Sequence, residues 1–156
     1  MADLVASNKR SLARQAPAQE FLSFVLAEEV YGLGLGKIRE ILSPPPITPV
    51  PRSPRQVVGV CSVRGLLVTV LDLRRQMRLA ESPVTRRSRI LLVETDSTEV
   101  VGLLVDEVRQ VLRLSENEIE LATAALGGDV SDHVLGIGRP KDQVLILLDL
   151  SSIVSD

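Results

Sequence analysis

Asp72 and Asp149 each stand in a Leu-Asp-Leu tripeptide that follows an apolar run. Two carboxylates in matched surroundings are the raw material of a hydrolytic dyad, in which paired acids share one proton. That chemistry needs a tight turn with a small neighbour, usually Asp-Thr/Ser-Gly, whereas Leu73 and Leu150 follow here. Each carboxylate is therefore expected to cap a short helix after its strand by accepting orphan N–H groups. Gly32, Gly34 and Gly36 form a G-x-G-x-G run. A dinucleotide site would need a long helix to follow it, and the proline-rich stretch from Ser43 leaves no room for one. The single Cys61 lies in a Val-rich run and reads as a small buried hydrophobe. His133 is the only imidazole, and nothing in the sequence places it beside Cys61 as a base.

Arginines form two clusters, Arg74, Arg75 and Arg78, then Arg86, Arg87 and Arg89, read as solvated faces around a loop. Arg64-Gly65 is different, because it separates two strongly apolar runs in VCSVRGLLVTV. Gly65 supplies the positive φ of a tight hairpin, which holds the planar donor fork of Arg64 at the tip. One Cys and one His exclude Cys/His zinc sites and disulfide frameworks. A net charge of −2 and only three aromatic residues (Phe21, Phe24 and Tyr31) argue against nucleic acid. No stretch approaches the ~20 apolar residues of a membrane helix. The first nineteen residues lack the apolar core of a secretory signal, so a cytoplasmic location without direct membrane insertion is expected.

The elements that must position these residues are short. Runs rich in Val, Leu and Ile predict strands at Phe21–Ala27, Tyr31–Leu35, Val57–Val63, Leu66–Asp72, Arg89–Glu94, Val100–Val105, Val134–Ile137 and Val144–Leu148. Short helical turns are expected at Ile38–Leu42, Leu73–Arg78, Asp106–Leu112 and Asp149–Val154. Ser115 to Glu118 has capping-box spacing. Ser43–Pro54 holds six of the nine prolines and reads as an extended surface connector. Residues 1–19, polar and without apolar period, read as a flexible tail.

An internal repeat organises the rest. YGLGLGKIREIL (Tyr31–Leu42) lies over VGLLVDEVRQVL (Val101–Leu112) at an offset of 70, and GVCSVRGLLVTVLDL (Gly59–Leu73) lies over GIGRPKDQVLILLDL (Gly136–Leu150) at an offset of 77. Two copies of one strand-rich unit follow, each near the lower size limit for an independent core. They are expected to pack together, leaving a groove at their seam.

These residues in this order resemble the CheW-like coupling proteins of bacterial chemotaxis, from about Glu20 to Ile153. The resemblance rests on FLSFVLAEEVYGLGL, Ile38-Arg39-Glu40-Ile41, Ile47-Thr48-Pro49-Val50-Pro51 and GVCSVRGLLVTVLDLR (Gly59–Arg74). In the second half it rests on Gly102–Val108 and the closing Leu-Leu-Asp-Leu. Ser62, Val63, Thr69 and Gly32-Leu33-Gly34 depart from the family pattern, and none of them touches Arg64-Gly65.

The resemblance implies an all-β fold with short helices, built as two intertwined five-stranded SH3-like β-barrels related by pseudo-symmetry. The CheW-like domain would span 20–156, with barrel 1 mainly 30–85, barrel 2 mainly 88–150 and exchanged terminal segments. It implies a non-catalytic adaptor, without cofactor or metal, that is monomeric when free. Its partners would be chemoreceptor cytoplasmic tips and the regulatory domain of the histidine kinase CheA, met in arrays at the inner face of the membrane. Carried over by motif, Ile38, Glu40, Arg64, Gly65, Val105 and Val108 fall on the receptor-binding surface, and Ile47, Val50, Pro51 and Gly59 on the kinase side. Two alternatives stand beside this: a CheW-like scaffold of a non-swimming chemosensory pathway, and a pseudo-symmetric Asp-dyad hydrolase.

Overall fold

The computed structural model describes residues 18–122 and 133–155; most of the tail expected at 1–19 and much of the polar segment before His133 lie outside them. Eleven strands are described: β1 (Ala18–Leu26), β2 (Glu29–Gly34), β3 (Ile38–Leu42), β4 (Val57–Val63), β5 (Leu66–Asp72), β6 (Arg89–Glu94), β7 (Val100–Val105), β8 (Glu107–Ser115), β9 (Ile119–Leu121), β10 (Val134–Gly138) and β11 (Leu145–Leu148). Two short helices, α1 (Leu73–Gln76) and α2 (Leu150–Ser155), each follow a Leu-Asp pair.

The strands form two sheets, in the orders β3-β6-β7-β5-β4 and β8-β1-β2-β11-β10-β9. Under the sequence repeat, β3, β7, β5 and β4 correspond to β8, β2, β11 and β10, and the sheet order then matches β6 with β1. The parallel pairing of β5 with β7 has its counterpart in β11 with β2. This is the pseudo-symmetric all-β architecture expected from the sequence. The six-stranded sheet adds β9, whose equivalent in the other sheet is a single bridge from Thr48 of the connector to Val60. At both places the underlying strand carries glycine. A Cβ on Gly59 would lie 2.2 Å from the Thr48 carbonyl oxygen, and one on Gly136 would lie 2.5 Å from that of Glu120.

Ile38–Leu42 and Asp106–Leu112 are not helical turns: the first is the strand β3 and the second, after a bend at Asp106, lies in β8, and the two strands occupy equivalent edges. Both carry apolar residues at i, i+3 and i+4, the spacing of a helix face. A β-bulge produces the same spacing on a strand, because one extra residue reverses the alternation. In β3 the pairing runs Ile38↔Val93 and then Glu40↔Leu92, leaving Arg39 extra. In β8 it runs Val111↔Leu22 and then Val108↔Phe24, so Arg109 and Gln110 oppose Ser23 alone. The buried Ser23 hydroxyl fills that second bulge, donating to the Gln110 carbonyl (2.7 Å) and accepting its N–H (3.1 Å).

The seam is packed rather than open along its centre. Its cluster includes Phe24, Leu26, Leu33, Leu91, Val93, Leu103, Leu148 and Ile153, drawn from both sheets and α2. Each sheet keeps a smaller interior of its own. Cys61, Val70, Ile90 and Leu104 fill the five-stranded one, and Phe21, Leu114, Leu145 and Leu147 the six-stranded one. Alternation explains the division, since Leu91 and Val93 face the seam while Ile90 and Leu92 face inward. Fully burying a Leu, Val or Phe stabilises a fold by about 1.5–3 kcal/mol, so the shared cluster fixes the two sheets together.

Candidate functional site

The β4–β5 hairpin has a two-residue turn with both residues left-handed, Arg64 at φ 52° and Gly65 at φ 82°. Asn or Gly is the favoured first residue of such a turn, and an arginine there points to a use for the side chain. The hairpin tip also outruns its neighbour, because β5 pairs with β7 only from Thr69 onward. Leu66 and Leu67 are consequently 70% and 75% exposed, an apolar pair in solvent that the sequence pattern did not single out.

Arg64 reaches Glu40 through Nη2 and Oε2 at 2.6 Å, with the guanidinium side chain still 72% exposed. The bulge makes this possible. In a regular strand, Glu40 would share the seam-facing side of Ile38; the extra Arg39 turns Glu40 to the side of Leu92, where the hairpin lies. Arg39 itself pairs with Glu94. A depression of ≈ 530 Å³ opens between these groups, lined by Arg39, Glu40, Arg64, Leu66, Leu67 and Val100, among others. An apolar floor with two ion pairs at its rim fits one face of a partner helix.

Of the residues assigned to receptor binding, the structure brings Glu40, Arg64 and Gly65 together. Ile38 and Val108 occupy equivalent positions on β3 and β8, half-buried against the shared cluster. Val105 is 1% exposed inside that cluster and offers no surface to a partner. On the kinase-assigned side, Val50 and Pro51 are exposed on the connector, whereas Ile47 packs over the interior of the five-stranded sheet. Gly59 is buried beneath Thr48, so its place is structural and not on the surface.

The catalytic candidates do not assemble. The Asp72 carboxylate accepts the Arg74 N–H at 2.9 Å as the cap of α1, as expected. Arg74 is not the solvated residue its cluster suggested. Its side chain is 4% exposed, and Nε lies 3.1 Å from Asp106 and 3.6 Å from Asp72. Asp106 in turn accepts the Ala27 N–H at 2.9 Å, pinning the β1–β2 turn, where Ala27 and Glu28 are both left-handed. This buried network ties the end of one sheet to a turn of the other. No sequence signal distinguishes Arg74 from its exposed neighbours. His133 contacts Ser152 and Gln76, and Cys61 lies in the interior of the five-stranded sheet.

Burial pushes the Cys61 thiol up, opposite to the direction that activates a nucleophile. Burial, followed by the charge of Glu29, does the same to the Tyr31 phenol. Both groups hold their protons to higher pH in the fold than when unfolded. Their stabilisation is complete below the ordinary thiol and phenol ranges and is lost as pH rises through the raised values. Native Cys61 is expected to react with a thiol reagent at least about a hundredfold more slowly than the unfolded chain at neutral pH. Equal rates in native buffer and in denaturant would place the thiol at the surface.

The model of the CheW-like domain family matches residues 20–156. The chain is 31% identical over 156 residues to the chemotaxis protein CheW of Klebsiella aerogenes, covering 99% of this chain and 92% of that protein. It is 30% identical over 151 residues to CheW of Thermotoga maritima, covering 94% and 95%. Protein FrzA of Myxococcus xanthus is 32% identical over 149 residues, covering 93% and 91%. Among solved structures, the scaffolding protein TtCheW from Thermoanaerobacter tengcongensis superposes with a TM-score of 0.79 at 29% identity, covering 86% of this chain and 91% of that one.

Proposed function

Because the chain belongs to the CheW-like domain family, we propose that it is a non-catalytic adaptor coupling chemoreceptor cytoplasmic tips to the regulatory domain of the histidine kinase CheA. One observation carries this reading: the Arg64–Glu40 pair stands beside an apolar depression and two solvent-exposed leucines of the β4–β5 hairpin. A receptor tip is a helical hairpin, and its apolar face would lie on Leu66 and Leu67 while its polar edge meets Arg64. Ile38 and Val108, at the equivalent edges of the two sheets, pack against the shared cluster and would meet the receptor at the seam, apart from this depression. Val50 and Pro51, the exposed part of the connector, would meet the kinase, with Ile47 holding the connector down. Such contacts are small and reversible, and many acting together in an array at the inner face of the membrane supply the avidity.

The test is titration of a receptor-tip fragment and a CheA regulatory domain into the purified protein by calorimetry. Arg64→Glu is expected to weaken tip binding about tenfold or more while leaving the kinase affinity unchanged. The fold should tolerate it, because the side chain is largely in solvent. Unaltered tip binding by a folded Arg64→Glu protein removes the hairpin from the receptor surface. No binding to either partner at tens of micromolar removes the coupling role.

A second reading, the same scaffold in a chemosensory pathway with an output other than swimming, draws equal support from the likeness to FrzA. Deletion of the gene separates the two, since the first predicts loss of directed swimming and the second leaves it intact.

A further inference from the structure

The buried Arg74 network has one unfinished contact. Among the described residues no acceptor completes a hydrogen bond to the Arg74 Nε, although Asp106 lies 3.1 Å away and Asp72 3.6 Å. The cause lies on the other side of the guanidinium, where Nη1 donates to the Ser82 hydroxyl in the loop between α1 and β6. A planar fork held at that corner is kept out of line with both carboxylates. Free to turn, a guanidinium and a carboxylate pair through two parallel hydrogen bonds. Asp106 is already divided between two tasks. Its Oδ1 faces Nε, and its Oδ2 accepts the Ala27 N–H at 2.9 Å. That second bond pins a turn in which Ala27 and Glu28 sit at φ 47° and 74°, a conformation costly for residues that carry a Cβ.

We propose that Arg74 is a two-position relay between this loop and the β1–β2 turn. With Ser82 in place, Asp106 keeps Oδ2 on the Ala27 N–H. When Ser82 is drawn away, Nη1 of an almost fully buried side chain is left without its acceptor, which is costly. The guanidinium then turns to take both oxygens of Asp106, and the strained turn loses its pin. The exposed Glu28 and Glu29 shift on the six-stranded sheet in response to an event beside the five-stranded one. The loop is anchored on either side of Ser82, so this part can move without unravelling the rest. Before it, the Leu79 N–H is bound to the Arg74 carbonyl at 2.8 Å, and Leu79 packs on the shared cluster. After it, the Thr85 N–H donates to the hydroxyl of the buried Ser88 at 2.8 Å. Between these anchors the loop meets α1 through Ser82 on Arg74 and Glu81 on Arg75.

Amide hydrogen exchange of the full chain, read residue by residue by NMR, tests this. Ser82→Ala is expected to accelerate exchange of the Ala27 N–H about tenfold or more, while Leu91 and Leu103 in the shared cluster stay within about twofold of their rates. Ser82 is exposed, so the variant keeps the fold. Ser82→Thr retains a hydroxyl and should keep Ala27 slow. Glu81→Ala releases the same loop from Arg75 and should leave Ala27 unchanged. An Ala27 rate indifferent to Ser82→Ala overturns the relay, and so does an Ala27 N–H that is unprotected before any substitution. Equal acceleration by Glu81→Ala also overturns it, because loosening the loop anywhere would then suffice. Acceleration of Leu91 and Leu103 in step with Ala27 does the same, since that reports a loss of stability throughout the molecule.

Discussion

Arg74→Ala is expected to cost about 3–5 kcal/mol of stability, the loss typical when one member of a buried ion pair is removed and the other charges stay behind. Asp72 is as buried as Arg74, and Asp106 is three-quarters covered. Deleting the guanidinium therefore takes from Asp106 its ion-pair partner and leaves the buried Asp72 with only the partly exposed Arg75, at 3.7 Å. The damage spreads, because Asp106 also holds the Ala27 N–H in a turn whose two residues are strained without it. Urea denaturation followed by circular dichroism measures the loss. Arg75→Ala is the internal control, since that side chain is 32% exposed and should change stability by less than about 1 kcal/mol. Replacing Arg74, Asp72 and Asp106 together by neutral residues should recover much of the deficit, because the penalty lies in uncompensated charge. Equal effects at Arg74 and Arg75 would mean that the network contributes nothing beyond a surface pair.

Gly59→Ala is the second large effect, at about 3 kcal/mol from overpacking together with two weakened backbone hydrogen bonds. The new methyl would sit 2.2 Å from the Thr48 oxygen, which is backbone and has no flexible end to move aside. The connector must lift, stretching the Thr48 N–H to Val60 bond of 2.8 Å and the return bond of 2.9 Å. Hydrogen exchange at Val60 should accelerate along with the loss of stability. Gly136→Ala should reproduce the effect at β9, and Gly34→Ala, with open space around it and φ −53°, should be nearly neutral. If Gly59→Ala proves as mild as Gly34→Ala, the connector does not rest on β4.

The strands β4, β5, β6 and β7 were legible to the residue, because each is a short, mostly apolar run bounded by turn or polar residues. The repeat was legible as well, and it foretold an equivalence of strand order that no single run implies. The edges β3 and β8 were not. Their bulges give apolar positions a helical period, and only the pairing register shows that a strand and not a helix satisfies it. At the hairpin, Arg64 and Gly65 could be placed from the turn alone. The exposure of Leu66 and Leu67 depends on where β7 begins to pair, which no local pattern records. Burial of Arg74, Val105 and Gly59 depends on what a distant segment lays over them, so motif assignments to a surface failed at two of these positions and the assumption of solvation failed at the third.

The exchange of strands between sheets imposes an order of assembly. β3 to β7 form a contiguous stretch and can complete their sheet as soon as Val105 has been made. β1 and β2 are synthesised first, yet Tyr31 finds its parallel neighbour only in Ile146. Until then Phe24, Leu26 and Leu33 have an incomplete cover, which favours slow maturation and leaves the nascent chain sticky on the ribosome. Chains interrupted before β11 should accordingly depend on chaperones, whatever the stability of the finished molecule.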